Sequence, residues 1–290
     1  MRIPESELII NPDGSAFHIH IKPSQLADTV IVFGDPDRVK MFKPLFDSVE
    51  AEGQSREFAF ATGLYKGKRI TALSHGIGCD NIDIVMTELD ALANIDFETR
   101  EVRPEHRTLT IVRIGTCGAI QPEIPLGSFI LSHISVGCDG LMNWYEGRDE
   151  ICLPDFEEAF KKHTHWAKHL PDPYFVRASE RLIKLFEDST VKGMTVSASG
   201  FYGPQGRVVR QGLAMPNMLE DFESFEHKGY KITNFEMEGS ALAGMGRKLG
   251  HDCITVCAAI AHRYHKDANT DYKARVNELV KMVLDKVASA

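Results

Sequence analysis

Short β-rich runs alternate with helix-patterned segments along most of the 290 residues, and this alternation constrains the fold more than any other feature. "TVIVFG" (29–34) reads as a strand ending in glycine, and "PDRVKMFKPLF" as the helix after it. "RITALSHGIG" runs into a glycine turn, and "NIDIVMTELDALAN" carries apolar residues at helical spacing: Ile82, Val85, Met86, Leu89 and Leu92. "TLTIVRIG", "GSFILSHISVG", "GMTVSASG" and "CITVCAAIA" continue the strand series. "NMLEDFESFEHKGY" reads as helical, "SALAGMGRKLG" as a helix stopped by Gly250, and "ARVNELVKMVLDKVASA" as a closing amphipathic helix. Such a series argues for one α/β domain over 1–290, with helices packed on a central sheet and ligands at the carboxyl ends of strands. Residues 1–16 form an N-terminal extension. The stretch 139–173, rich in aromatics, acids and prolines, is expected to be an irregular surface excursion.

Composition narrows the functional classes. Hydrophobic residues make up 43% and charged residues 26%, an ordinary globular profile. The net charge of −8 argues against nucleic-acid binding, because no basic surplus neutralises phosphates. No apolar run approaches a membrane span, and the proline-broken, polar "MRIPESELIINPDG" does not read as a signal peptide, so a cytoplasmic location is expected. None of the cysteines, Cys79, Cys117, Cys138, Cys152, Cys253 and Cys257, forms a C-x-x-C pair; they read as small apolar fillers.

Several stretches could carry chemistry, each with a plainer reading beside it. In "VFGDPDRV", Gly34 ends a strand and Arg38 sits near a helix start, where backbone N–H groups and a guanidinium favour an anion; Arg38 could equally be a solvated helix residue. In "IVRIGTCGAIQP", Arg113 interrupts an apolar strand before Thr116, as an anion ligand or as half of an internal ion pair. Arg56 in "SREFAFATG" is a third candidate cation. "SGFYGPQGR" offers Phe201 and Tyr202 for stacking, Gln205 with one acceptor and two donors, and Arg207 with donors only, a match to a pyrimidine edge; it is also ordinary turn composition. "NFEMEGSAL" alternates Glu236 and Glu238 at a strand-to-helix junction, where a carboxylate can accept from a ribose diol or cap a helix. "HTHWAKHL" places His165 and His169 at i,i+4, a zinc spacing on a helix, but no nearby acid or cysteine completes a site, so a solvated helix face is expected.

Taken in order, "GDPDRV", "SREF", "SHGIG", "RIGTCGAIQP", "FYGPQGR" and "NFEMEGSAL" resemble the nucleoside phosphorylase family, and "FYGPQGR" its uridine-cleaving branch. The resemblance runs from about Phe17 to the C-terminal helix. It implies a single-domain, three-layer αβα architecture with a central mixed sheet. It also implies reversible conversion of uridine and phosphate to uracil and ribose 1-phosphate, in pyrimidine salvage. The implied phosphate ligands are Gly34, Arg38, Arg113 and Thr116, with Arg56 reaching in from a neighbouring subunit. Ribose falls to Thr116, Met237 and Glu238, with His18 crossing from the neighbour; uracil falls to Phe201, Gln205 and Arg207. Arg113 and Arg207 are the implied catalytic charges, and Glu236 and Arg263 support them. A shared site implies a homodimer, or a hexamer built from dimers. No cofactor is implied, phosphate being a co-substrate. Some relatives bind a monovalent cation through the match to Glu57, but Asn81 here replaces a serine ligand. His75 stands where many relatives carry threonine, and Cys117 where threonine or serine is usual. His262 stands where purine enzymes use an aspartate, which counts against a purine substrate. The alternatives are a related purine phosphorylase, a water-using nucleosidase, and a noncatalytic nucleoside-binding protein.

Overall fold

The computed structural model describes residues 2–263, 265–268 and 271–290. In chain order its elements are β1 (Thr29–Phe33), α1 (Val39–Phe42), β2 (Ser48–Ser55), β3 (Phe58–Tyr65), β4 (Lys68–Ser74), α2 (Cys79–Asn94), and the small pair β5 (Ile95–Asp96) and β6 (Glu101–Val102). There follow β7 (Thr110–Ala119), β8 (Phe129–Gly137), α3 (Pro154–His163), β9 (Tyr174–Arg177), α4 (Glu180–Phe186), β10 (Val191–Ser197) and α5 (Met218–Ser224). The chain closes with β11 (Glu226–His227), β12 (Tyr230–Glu236), α6 (Gly239–Leu249), β13 (Asp252–His262), β14 (Asp267–Ala268) and α7 (Lys273–Ser289).

One mixed sheet organises the molecule, with strand order β11-β12-β10-β8-β13-β7-β1-β4-β3-β2. Its centre, β4-β1-β7-β13, is parallel, while β2, β3 and β4 form an antiparallel run at one edge. β12 also pairs with β7, through Asn234 with Ala119 and Phe235 with Gly118. The five strands β7, β13, β8, β10 and β12 therefore close on themselves at one end of the sheet.

The buried run of β1 explains the layering. Val30 and Val32 face a cluster containing α2 and α6, whereas Ile31 and Phe33 face α1, α4 and α7. A strand buried on both faces must be apolar throughout, so alternation of polar and apolar residues is absent from it. A third cluster, built on Phe156, Phe160, Phe175, Phe222 and Phe235, seats α3 and α5 against the closed end.

Four expectations need correction. "PDRVKMFKPLF" forms only a four-residue α-helix between two 3-10 turns, because Pro44 has no N–H with which to continue the helical ladder. The 139–173 excursion is not irregular throughout: it holds α3, whose Phe156 and Phe160 are buried. That helix ends at His163 and His165 adopts a left-handed φ of 49°, so His165 and His169 do not share a helix face. The segment "NMLEDFESFEHKGY" stops being helical at Ser224. Lys228 and Gly229 both take positive φ, turning the chain into the β11–β12 hairpin.

Candidate active site

A cavity of about 770 Å³ opens at the carboxyl ends of β1, β4 and β12, where the loops of an α/β fold gather ligands. It brings together Gly34, Arg38, Arg113, Thr116, Met237 and Glu238 with Phe201, Gln205 and Arg207. Residues from four separate stretches of chain thus share one space. His18 and Arg56 do not line it. His18 is held instead by Glu88 of α2, with its Nδ1 2.6 Å from that carboxylate. Arg56 turns the chain with a φ of 52° between β2 and β3.

Arg113 is the centre of the charged half. It is 4% exposed and makes ion pairs with Glu236 at 2.8 Å and with Glu238. Burial pulls its pKa down, but Glu238 and Glu236 outweigh that and hold it above the usual guanidinium value. The strand can carry this group because its neighbour is Gly115: a Cβ there would lie 2.7 Å from Arg113 Nη1 and from Cys257 Sγ. Arg38 donates to the Ile114 carbonyl at 3.2 Å. Burial, and then the charge of Arg113, push its pKa below the ordinary value. Arg38, with no carboxylate in contact among the described residues and its charge disfavoured by burial and by Arg113, is the guanidinium that an anion in this corner would relieve.

Both glutamates line the cavity, but they differ in their partners. Glu236 accepts from the backbone N–H groups of Glu238 and Gly239, at 2.9 to 3.0 Å, and from the Ser197 hydroxyl, so it anchors the first turn of α6. Glu238 lines the cavity, accepting from the Gly78 N–H at 2.8 Å and from Arg113. Burial raises its pKa and Arg113 only partly reverses the shift. A carboxylate has about four lone-pair positions, so two contacts leave capacity for hydroxyls. Met237 sits between the glutamates and lines the cavity, while its carbonyl accepts from the Cys79 thiol at 3.2 Å.

The other half is built on a tight turn at Gly203–Gln205. The Arg207 guanidinium lies 3.9 Å from the centre of the Phe201 ring and donates to Gln205 Oε1 at 2.7 Å. Because arginine offers only donors, this contact fixes which way the glutamine amide faces. Arg263 donates to the Gln205 carbonyl at 2.8 Å, braces the turn from behind, and is shifted down to about 10 by burial and by Arg207.

Some neighbours were not anticipated as functional. His75 accepts from Arg113 Nε at 3.2 Å, and Ile77 and Ile260 supply apolar wall. The available signals for His75 were a polar residue ending the apolar run "RITALSH" and its departure from the family pattern. His262 is buried and bonds the Gln121 carbonyl and the His265 N–H; it does not line the cavity. Cys117 lines the cavity, yet burial, and then Cys257, raise its pKa so far that it stays a thiol, unsuited to nucleophilic attack. Asn81 turns its amide N–H toward Glu57 at 3.2 Å, so as oriented it presents no oxygen with which to share a cation. Asp90, His106 and His251 gather ligand atoms within 4.8 Å. His251 Nδ1, however, accepts from the Leu109 N–H, which leaves the ring proton on Nε2, the atom facing Asp90, where a metal would need a lone pair.

The chain is similar to known proteins along nearly its whole length. Residues 28–289 match the model of a family described as the phosphorylase superfamily. A uridine phosphorylase of Thermococcus kodakarensis is 29% identical over 254 residues, 87% of this chain and 79% of that one. A purine nucleoside phosphorylase, DeoD-type 2, of Vibrio parahaemolyticus is 25% identical over 276 residues, 92% of this chain and 96% of the other. A crystal structure of a Trypanosoma brucei nucleoside phosphorylase, described as showing uridine phosphorylase activity, superposes with a TM-score of 0.89. It is 29% identical and covers 98% of this chain and 100% of its own.

Proposed function

The chain belongs to the phosphorylase superfamily, as a pentosyltransferase, and from that premise we propose that it is a uridine phosphorylase of pyrimidine salvage. The observation that carries the reading is the meeting, in one cavity, of two guanidiniums, a buried carboxylate and an oriented Gln–Arg pair. Phosphate sits against Arg38, Arg113, Thr116 and the backbone at Gly34. Glu238 accepts from the ribose diol, and Met237 packs on the sugar. Uracil stacks near Phe201. Gln205 Oε1, already turned toward Arg207, accepts the N3–H with its second lone pair, and the amide N–H and Arg207 give to the ring carbonyls. Cytosine, whose N3 is an acceptor, would meet that oxygen lone pair to lone pair.

The chemistry is a displacement at the anomeric carbon. As the glycosidic bond stretches, positive charge grows on the sugar and negative charge on the departing uracil. A phosphate oxygen forms the new bond to carbon, and the electron pair of the broken bond stays with uracil, where Arg207 offsets it. The catalytic terms are positioning and electrostatics, without a covalent enzyme intermediate. His18 and Arg56, outside the cavity of their own chain, are read as belonging to a neighbour's site, in a homodimer or a hexamer of dimers. No cofactor is required beyond phosphate as co-substrate. Among the described residues no helix is long and apolar enough to cross a membrane, and the reading places the enzyme in the cytoplasm.

The deciding assay incubates the protein with uridine, thymidine and inosine, with and without phosphate, and follows free base. Phosphate-dependent uracil release is the expected result. Inosine cleavage would redirect the reading to a purine enzyme, release without phosphate to a nucleosidase, and no release at all to a binding protein.

A further inference from the structure

Arg113 is held on almost every edge. Its Nε–H goes to His75 Nε2 at 3.2 Å; Nη1 serves Glu236 at 2.8 Å and Cys257 Sγ at 3.8 Å; Nη2 serves Glu238. A guanidinium has five N–H groups. Nη2 makes one hydrogen bond, so its second N–H has no protein acceptor among the described residues, and Arg113 lines the cavity. The direction of that single donor is set by the acceptors around it.

Two of the three strongest acceptors are carboxylates, which attract a guanidinium without demanding one rotation of it. His75 is different. Its backbone N–H donates to the Phe33 carbonyl at 2.8 Å, which ties it to the end of β1. Its ring is wholly buried beside Gly34: a Cβ placed on that glycine would lie 3.8 Å from His75 Cε1. An acceptor nitrogen at a fixed point in a packed wall defines the plane and rotation of the guanidinium through Nε, the one nitrogen that cannot swap places with another.

We propose that His75 is a positioning residue for phosphate capture: its neutral Nε2 orients Arg113 so that the free Nη2–H points at the anion. The proposal rests on the phosphate-binding reading above. Two further facts agree with it. Burial, and then Arg113, keep the imidazole well below its ordinary pKa, so it stays neutral and able to accept. With Nε2 accepting, the ring proton sits on Nδ1, which is buried and makes no hydrogen bond of standard geometry, only a weaker contact of the ring with the Gly76 backbone. That arrangement costs stability, and a chain selected for packing alone would avoid it.

The test compares His75→Gln, His75→Asn and His75→Leu. Glutamine can place an amide oxygen near the Nε2 position; asparagine is one methylene too short; leucine fills the space without accepting. Phosphate binding is read without nucleoside, from the rise of melting temperature with inorganic phosphate. The Leu and Asn variants should bind phosphate roughly tenfold or more weakly, while Gln stays within about threefold of wild type. In turnover, the KM for phosphate should rise more than the KM for nucleoside. Should Leu not fold, the Gln–Asn comparison carries the test, since both are amides. A Gln variant as impaired as Leu or Asn, or a Leu variant that binds phosphate normally, would overturn the proposal. A wild type that gives no phosphate response overturns the phosphate reading and this inference together. A responsive wild type with indistinguishable variants overturns this inference alone.

Discussion

Arg207 holds two positions at once, over the Phe201 ring and against Gln205 Oε1. Alanine there removes the charge that faces departing uracil and releases the glutamine amide to flip. Arg207→Ala should lower uridine cleavage on the order of 10²–10³-fold with the fold intact, by steady-state kinetics and circular dichroism. An unaltered rate would remove the base-recognition claim. Glu238 makes a different prediction. Because its carboxylate is assigned to the sugar diol, Glu238→Ala should cost ribosides more than 2′-deoxyribosides, compared as kcat/KM for uridine and 2′-deoxyuridine. Equal losses would argue against a diol contact. Its neighbour two positions back gives a contrast. Glu236 spends its oxygens on Arg113, Ser197 and the first N–H groups of α6, so changing it would disturb the site and the helix start together.

Helix α6 shows how an element places chemistry. Its first turn is anchored by Glu236, its middle is buried against α2, and its end is set by Gly250, with a φ of 76°. A side chain at Gly250 would be strained by that backbone and would meet the His106 ring at 3.2 Å. Gly250→Ala should therefore cost about 1–2 kcal/mol, read as a lower denaturant midpoint with an unchanged slope. Activity below the transition should persist, because the site lies at the opposite end of the helix. Gly250 was readable as a stop because it follows the last apolar position of a helical pattern. The β11–β12 hairpin was not readable, because acidic and aromatic residues in "LEDFESFEH" also fit helical spacing. Burial of Phe225 and the positive φ at Lys228 and Gly229 decided for the turn.

The folded molecule as a whole is sensitive to pH through the same corner that is proposed to bind phosphate. Folding pushes the His75 pKa well below 6.5, through burial first and Arg113 second. The unfolded chain takes up that proton near pH 6.5, and the folded chain refuses it. The stability of this group is thus complete above about pH 6.5 and is lost as the pH falls toward the folded value. Melting temperature should drop between pH 7 and pH 5, and His75→Gln should flatten part of that slope; equal slopes in the two proteins would count against a depressed value. The same corner shows where reading a sequence stops. "RIGTCGAIQP", "FYGPQGR" and "NFEMEGSAL" could be picked out as stretches able to carry chemistry, because glycine, arginine and glutamate break otherwise apolar patterns. That Arg113 would meet both glutamates, one of them 125 positions away, was not visible in any of them.

The sequence by itself determined the period of most elements, the α/β alternation, the apolar β1 run and the glycine end of α6. Each depends on residues a few positions apart, whose backbone preferences and apolar spacing act locally. Tertiary structure alone decided that, of two cavity-lining glutamates, Glu236 anchors the start of α6 while Glu238 accepts from the Gly78 N–H, that His75 holds Arg113, and that the sheet closes through β12 and β7. Those outcomes depend on strand register and on burying whole helices against both sheet faces, which no short window of sequence specifies.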